Sequence, residues 1–103
     1  MIHVIASLRI KDGKLGEFLQ LFSTLAPTVR QEKGCYQYLL TADVEETGVP
    51  PQKLEKNVVT FIEKWESVDA LQAHMQTPHM KAQAEKEKGV VEEMISLKIL
   101  KEV

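Results

Sequence analysis

The sequence predicts an α+β fold in which strands and helices follow one another in the order β-α-β-β-α-β. Two patterns predict it: apolar residues alternate in the strand segments, and they recur at intervals of three and four in the segments between the first and second strands and between the third and fourth. Hydrophobic residues at 44% and charged residues at 27% are typical of a globular chain. At 103 residues, we expect one domain over positions 1–103.

The first strand is predicted from Ile2 to Ile10, where every even position is apolar. A turn at 11–13 leads into a helix. Its apolar face consists of Leu15, Phe18, Leu19, Phe22, Leu25, Ala26 and Val29. We expect Gly34 to end this helix. Because proline removes a helical hydrogen bond, Pro27 should introduce a kink or a 3₁₀ step near Ala26.

The second and third strands are predicted at Cys35–Ala42 and Asn57–Glu66, both rich in aromatic and aliphatic residues. The segment between them, Asp43–Lys56, is expected to be an exposed loop. Its turn-forming residues are Gly48, Pro50 and Pro51.

Two short helices are predicted next. Ser67 can cap the first of them, with Asp69 in the first turn. Thr77 can cap the second, with Pro78 at the first helical position, and this helix should run to about Lys88 and stop at Gly89. The last strand is predicted at 94–100, with the alternating apolar residues Ile95, Leu97 and Ile99 on one face.

Right-handed crossovers in this order place the helices on one face of a four-stranded antiparallel sheet, which is the ferredoxin-like arrangement. The other face of the sheet is then bare, although both faces of the third strand carry apolar residues. Monomeric proteins rarely expose an apolar patch of that size. We therefore expect a homodimer in which a second copy covers the bare face.

Charge and composition argue against several classes of partner. The formal net charge is −2 and there is no basic tract, so we expect no binding to nucleic acid. No segment has the ~20 apolar residues that cross a bilayer, so we expect no membrane partner. The N-terminus lacks the basic region of a signal peptide, and the one cysteine, Cys35, fits a reducing compartment, so we expect a cytoplasmic protein.

The stretch WESVDALQAHMQTPHMK, from Trp65 to Lys81, holds the single tryptophan and two of the three histidines. Trp65 can be a core residue or part of a ligand pocket. His74 can be a buried, hydrogen-bonded structural residue or a base, and His79 can be an exposed imidazole or a base. The two histidines are five residues apart across a helix break and have no third ligand at a fixed spacing, so we predict no zinc site.

The chain resembles the antibiotic biosynthesis monooxygenase family of small dimeric α+β barrels, and within it the bacterial quinol monooxygenases. Four segments carry the resemblance, and a weaker match is the closing KGVVEEMISLKIL. The four segments are IASLRI near the start, PTV and GC within Pro27–Cys35, IEKWES at Ile62–Ser67, and AHMQTPHMKA at Ala73–Ala82.

The resemblance implies that O₂ oxidises a reduced quinone or a similar oxygenated ring without flavin, haem or metal. Such chemistry needs an apolar pocket for a flat ring, a base that ionises a hydroxyl group, and donors that stabilise the oxyanion. We expect Glu63 to pair with Arg9 or a tyrosine, or to lie on the pocket floor. The candidate site residues are the bases His74 and His79, the pocket walls Trp65 and Phe61, the oxygen-binding Ser7 and Arg9, and Glu63.

Two alternatives stay open. One branch of the family isomerises a phosphorylated signalling dione; it shares His74 and the TPH-x-K segment but lacks the tryptophan. The chain could also be a non-catalytic ligand-binding module, since a fold alone does not establish function. The haem-degrading branch is not expected, because its asparagine, tryptophan and histidine would fall near Ser7, His74 and Ala84, and none of them matches.

Overall fold

A computed structural model describes residues 1–45, 48–49 and 54–103. In this part of the chain, strands and helices occur in the predicted order, with the second helix split into two. They are β1 (Ile2–Ile10), α1 (Leu15–Arg30), β2 (Cys35–Thr41), β3 (Val58–Trp65), α2 (Val68–Met75), α3 (Pro78–Lys86) and β4 (Val91–Lys101).

The four strands form one sheet in the order β2-β3-β1-β4, and each neighbouring pair is antiparallel. The even positions of β1, such as Val4 and Ala6, are buried in a core shared with Ala26 and Val29 of α1 and Leu71 of α2. The helices therefore cover the even face of β1, and the odd face is bare. The predicted α+β, ferredoxin-like fold is confirmed.

Helix α1 differs in two ways from what the sequence predicts. It stays α-helical from Leu15 to Arg30, so of the kink or 3₁₀ step expected near Ala26, the 3₁₀ step is absent. Pro27 lacks the N–H of one helical hydrogen bond, but the nearby Ala26 and Val29 are buried, so core packing holds this turn in the helix. The helix also ends before Gly34, which has a φ of +85° and turns the chain into β2.

The two short helices begin as predicted. The Ser67 side chain accepts a hydrogen bond from the Ala70 N–H at 3.1 Å, and the Thr77 side chain accepts one from the Met80 N–H at 3.3 Å. Pro78 occupies the first position of α3. Helix α3 ends at Lys86, two residues earlier than expected. Of the predicted loop, Pro50 and Pro51 lie outside the described residues.

Strand β4 is longer than predicted and its pairing with β1 shifts register between Ser7 and Leu8. As a result Met94 lies opposite Leu8, whereas Leu97 and Ile99 lie opposite Ala6 and Val4. The residue skipped at the shift is Ile95, so it does not continue the row of Leu97 and Ile99 as the alternation predicted. A β-bulge of this kind inserts one residue into one strand of a pair.

Candidate functional site

A cavity of about 500 Å³ lies between the covered face of the sheet and the helices. Phe61 of β3 and Leu97 of β4 line it from the sheet, while Phe22 of α1 and Met80 of α3 line it from the helices. Most of the lining is apolar, and a few polar side chains project into it. Pockets for small molecules have this size and character, so we take the cavity as the candidate active site.

His74 is the imidazole of this cavity. It lies in the last turn of α2, is 2% exposed, and packs its ring on the Trp65 indole with a centroid distance of 4.5 Å. Its Nδ1 lies 3.1 and 3.0 Å from the two carboxylate oxygens of Glu32. An ionised carboxylate can only accept, so Nδ1 donates the hydrogen bond. In the neutral ring the lone pair is then on Nε2.

Glu32 connects the two histidines of the quoted stretch. It lies in the turn after α1, and its Oε2 also accepts a hydrogen bond from His79 Nε2 at 2.7 Å. The His79 side chain is 27% exposed, against 2% for His74. The structure thus brings both predicted bases together around one carboxylate, with His74 in the cavity wall and His79 nearer to solvent.

Glu63 lies in the cavity wall beside these groups. It is 8% exposed, and its Oε1 accepts a hydrogen bond from the Trp65 indole N–H at 2.9 Å. Burial raises the pKa of Glu63, against the opposing effects of the Trp65 hydrogen bond and of the charge on His74. Among the described contacts, Glu63 does not pair with Arg9 or a tyrosine. It does line the cavity, which was the other expectation.

Trp65 and Phe61 share one face of β3 as expected, but only Phe61 lines the cavity. Trp65 is completely buried behind His74 and Glu63. The aromatic wall is instead formed by Phe61, Phe22 and Tyr38. The rings of Phe22 and Tyr38 stack on each other at a centroid distance of 5.6 Å. Trp65 therefore supports two polar residues of the site rather than forming a surface of the pocket.

Ser7 and Arg9 are not brought to the cavity. They occupy odd positions of β1 and therefore lie on the bare face of the sheet. The Ser7 hydroxyl is 2.8 Å from the Thr60 hydroxyl, and Arg9 Nε donates to Glu93 at 3.1 Å. The sheet would therefore separate Ser7 and Arg9 from a substrate bound in the cavity.

Sequence reasoning missed several polar residues of the site, among them Glu32, Gln83 and Glu87. Glu32 lies between PTV and GC, in a segment that carries the family resemblance, but no fixed spacing links it to the histidines. Gln83 and Glu87 follow His79 by four and eight residues, so helical spacing alone places all three on one face of α3. That periodicity was the available signal.

Within residues 1–45, 48–49 and 54–103, no group of three or more His, Cys, Asp or Glu side chains is arranged to hold a metal ion. In the same described residues, none of the helices combines the length and the apolar character needed to span a bilayer.

Comparison with known proteins identifies the family. Residues 1–86 match the family model "Antibiotic biosynthesis monooxygenase". The chain belongs to the antibiotic biosynthesis monooxygenase family. It is also 42% identical over 96 residues to the Escherichia coli K12 protein "Probable quinol monooxygenase YgiN", covering 91% of each chain.

Solved structures agree with this membership. A crystal structure of an antibiotic biosynthesis monooxygenase is 25% identical to the chain with a TM-score of 0.78, and the match covers 100% of this chain and 99% of the other. A conserved protein from Methanosarcina mazei Go1 matches with a TM-score of 0.83 at 22% identity, covering 99% and 92%, which shows the shared fold alone. The family and the curated relative together assign a monooxygenase-type function.

Proposed function

We propose that the chain is a monooxygenase that uses O₂ to oxidise a reduced quinone, or a similar small oxygenated ring, without flavin, haem or metal. The observation that carries the proposal is His74, a buried imidazole oriented by Glu32 in the wall of an apolar cavity of about 500 Å³. The name of the Escherichia coli relative supports the quinol as substrate class.

The reaction begins with proton transfer. His74 Nε2 accepts the proton of a ring hydroxyl, and Glu32 stabilises the resulting imidazolium through Nδ1. The phenolate is electron-rich and gives electrons to O₂. Over the whole reaction, the quinol and O₂ form a hydroxyquinone and water: one oxygen atom enters a ring C–H bond and the other leaves as water. The ring supplies all four electrons.

Glu63 suits the charge that develops in this reaction. Because burial raises its pKa, a larger fraction of the carboxyl group is neutral than at an exposed site. A neutral carboxyl group can donate a hydrogen bond to a phenolate, whereas a carboxylate would repel it. The Trp65 N–H occupies Oε1 and fixes the orientation of the group.

Oxygen uptake in the presence of menadiol tests the proposal. The protein should consume O₂ in proportion to its concentration, above the spontaneous oxidation of menadiol, and one atom of ¹⁸O₂ should appear in the product. His74→Ala should lower kcat by ~10²-fold, the usual contribution of a positioned acid–base group.

His3→Ala is the matched control, because His3 lies on the bare face of the sheet opposite Lys64. It should keep wild-type activity. Oxygen uptake that is unchanged in His74→Ala, or equally reduced in His3→Ala, would contradict the role given to His74.

The charges of the cavity weigh against the isomerase alternative. Among the described lining residues, Glu63 and Glu87 are acidic and Lys81 is the single lysine or arginine. A phosphorylated dione would bring about two negative charges to this site, where clustered cations would be needed. A ligand-binding module without catalysis would bind menadiol and leave O₂ uptake at the spontaneous rate.

A further inference from the structure

Helix α3 presents a polar pair to the cavity. Gln83 is 6% exposed, and its Nε2 donates a hydrogen bond to Oε2 of Glu87 at 3.1 Å. Both side chains line the cavity. Met94 and Leu97 of β4 also line it, so the pair projects into surroundings that are otherwise mainly apolar.

The positions of Gln83 and Glu87 do not stabilise the folded protein. Burial raises the pKa of Glu87, which means that the site disfavours its charge. Glu87 is also the C-cap residue of α3, and the negative end of a helix dipole disfavours a carboxylate there. The buried Gln83 amide also needs a hydrogen-bond partner, and the side chain to which it donates is this same carboxylate, so the two groups depend on each other. Two polar groups kept in such a place suggest that they face a ligand.

The pair also lies apart from the His74 end of the cavity. His79, near the start of α3, shares the Glu32 carboxylate with His74. At 1.5 Å per residue, Gln83 lies about 6 Å and Glu87 about 12 Å beyond His79 along the helix axis. His74 and Glu63 thus line the cavity on the side of this carboxylate, whereas Gln83 and Glu87 line it further along α3.

We infer that Gln83 and Glu87 form a second polar subsite, which binds an oxygen substituent at the end of the substrate remote from His74. A carboxamide both donates and accepts hydrogen bonds, and a carboxyl group accepts one from a hydroxyl, so the subsite fits a neutral hydroxyl or carbonyl oxygen. The ligand class is then a flat ring with two oxygens on opposite sides, such as a 1,4-quinol. The inference rests on the proposed function for its substrate class.

Calorimetric binding under nitrogen tests the subsite without turnover. The ligands are 1,4-dihydroxynaphthalene, with two opposed oxygens, and 1-naphthol, with one. Gln83→Met keeps the side-chain length and removes its hydrogen bonds. It should raise the Kd of 1,4-dihydroxynaphthalene about tenfold, as expected for the loss of a hydrogen bond in a buried site, and leave that of 1-naphthol unchanged.

Gln72→Met, on the exposed surface of α2, is the matched control and should change neither Kd. Glu87→Met should follow the pattern of Gln83→Met and serves if the first variant does not fold. Unchanged affinity for both ligands, or an equal loss for both, would overturn the inference. Because the assay excludes O₂, the absence of oxygenase activity in the wild-type protein would contradict the proposed function and leave this result standing.

Discussion

Glu32 decides how the two imidazoles can act. Its carboxylate accepts from His74 Nδ1 and from His79 Nε2, so both rings are held through one residue of the turn after α1. A histidine whose one nitrogen donates to a carboxylate has a fixed tautomer and ring orientation. The geometry therefore favours His74 as the base and gives His79 a supporting position nearer to solvent.

Glu63 links the cavity to the pH dependence of stability. Burial raises its pKa in the folded protein above the ordinary value of 4.5. Because this pKa is raised, the contribution of Glu63 to the stability of the folded protein is present below pH 4.5. It is lost as the pH rises through the folded-state pKa. Glu63→Gln removes the titration and keeps an oxygen that can accept from Trp65. The gain in Tm from this change should be larger at pH 8 than at pH 4.

Thermal melts of wild type and variant at both pH values measure this difference. Glu102→Gln, at the exposed C-terminus, is the control and should give the same shift in Tm at pH 4 and pH 8. If Glu63→Gln also gives the same shift in Tm at pH 4 and pH 8, burial does not raise the pKa of this carboxyl group.

At the level of single residues, the sequence predicted part of the site. His74, Glu63 and Phe61 line the cavity, but Ser7 and Arg9 lie on the opposite face of the sheet. The alternation of β1 indicates that its even positions face the helices, but the register with β3 decides which face Phe61 shares. Register and long-range contacts, such as that of Glu32 with His74, depend on the folded chain and not on local spacing.

Among the elements, Gly34 has a specific part in positioning α2. Its carbonyl accepts a hydrogen bond from the Glu66 N–H at 2.7 Å, just before the Ser67 cap. A Cβ at this position would lie 2.8 Å from the Cβ of Ala70. The turn that carries Glu32 and the helix that carries His74 are therefore in direct contact, and glycine permits that contact.

Gly34→Ala should destabilise the protein by more than ~2 kcal/mol, because it combines a positive φ of +85° with the Ala70 clash. Gly13→Ala is the matched control: its φ is +76°, but nothing lies within 4 Å of the added Cβ. The control should cost about 1–2 kcal/mol. In thermal melts, each kcal/mol corresponds to roughly 4–8 °C in Tm. Equal losses in the two variants would show that the contact with Ala70 is unimportant.

Helix starts were predictable because they depend on local chemistry. Ser67 and Thr77 each cap a helix through a hydrogen bond to a residue three positions later, and Pro78 is suited to the first turn. The β4 bulge was not predictable from alternation. Ile95 continues the sequence pattern of Leu97, yet the pairing with β1 shifts beside it.

For the whole molecule, we propose that a second copy covers the bare face of the sheet. Leu39, Ile62 and Ile5 lie side by side across three strands on this face. Leu39 is 39% and Ile5 is 40% exposed. The sequence predicted this arrangement of one covered and one bare face because the element order alone determines it.

Ile5→Lys should convert a homodimer into a monomer, since the charge would lie in the middle of the interface. A standard interface buries about 1,600 Å² in total, and a covered sheet face would reach that area. Sedimentation velocity at micromolar concentration measures the mass. Val68→Lys, at an exposed position of α2, should leave the dimer intact. A wild-type protein that sediments as a monomer would contradict the proposal.

The contact between Trp65 and His74 makes the protein its own optical probe. The chain has one tryptophan, so all indole fluorescence comes from a ring 4.5 Å from the candidate base and hydrogen-bonded to Glu63. A protonated imidazole in contact with an indole quenches its emission. Emission intensity therefore depends on the two polar residues that contact the indole, and the arrival of a ligand beside them in the cavity can be followed in unlabelled protein.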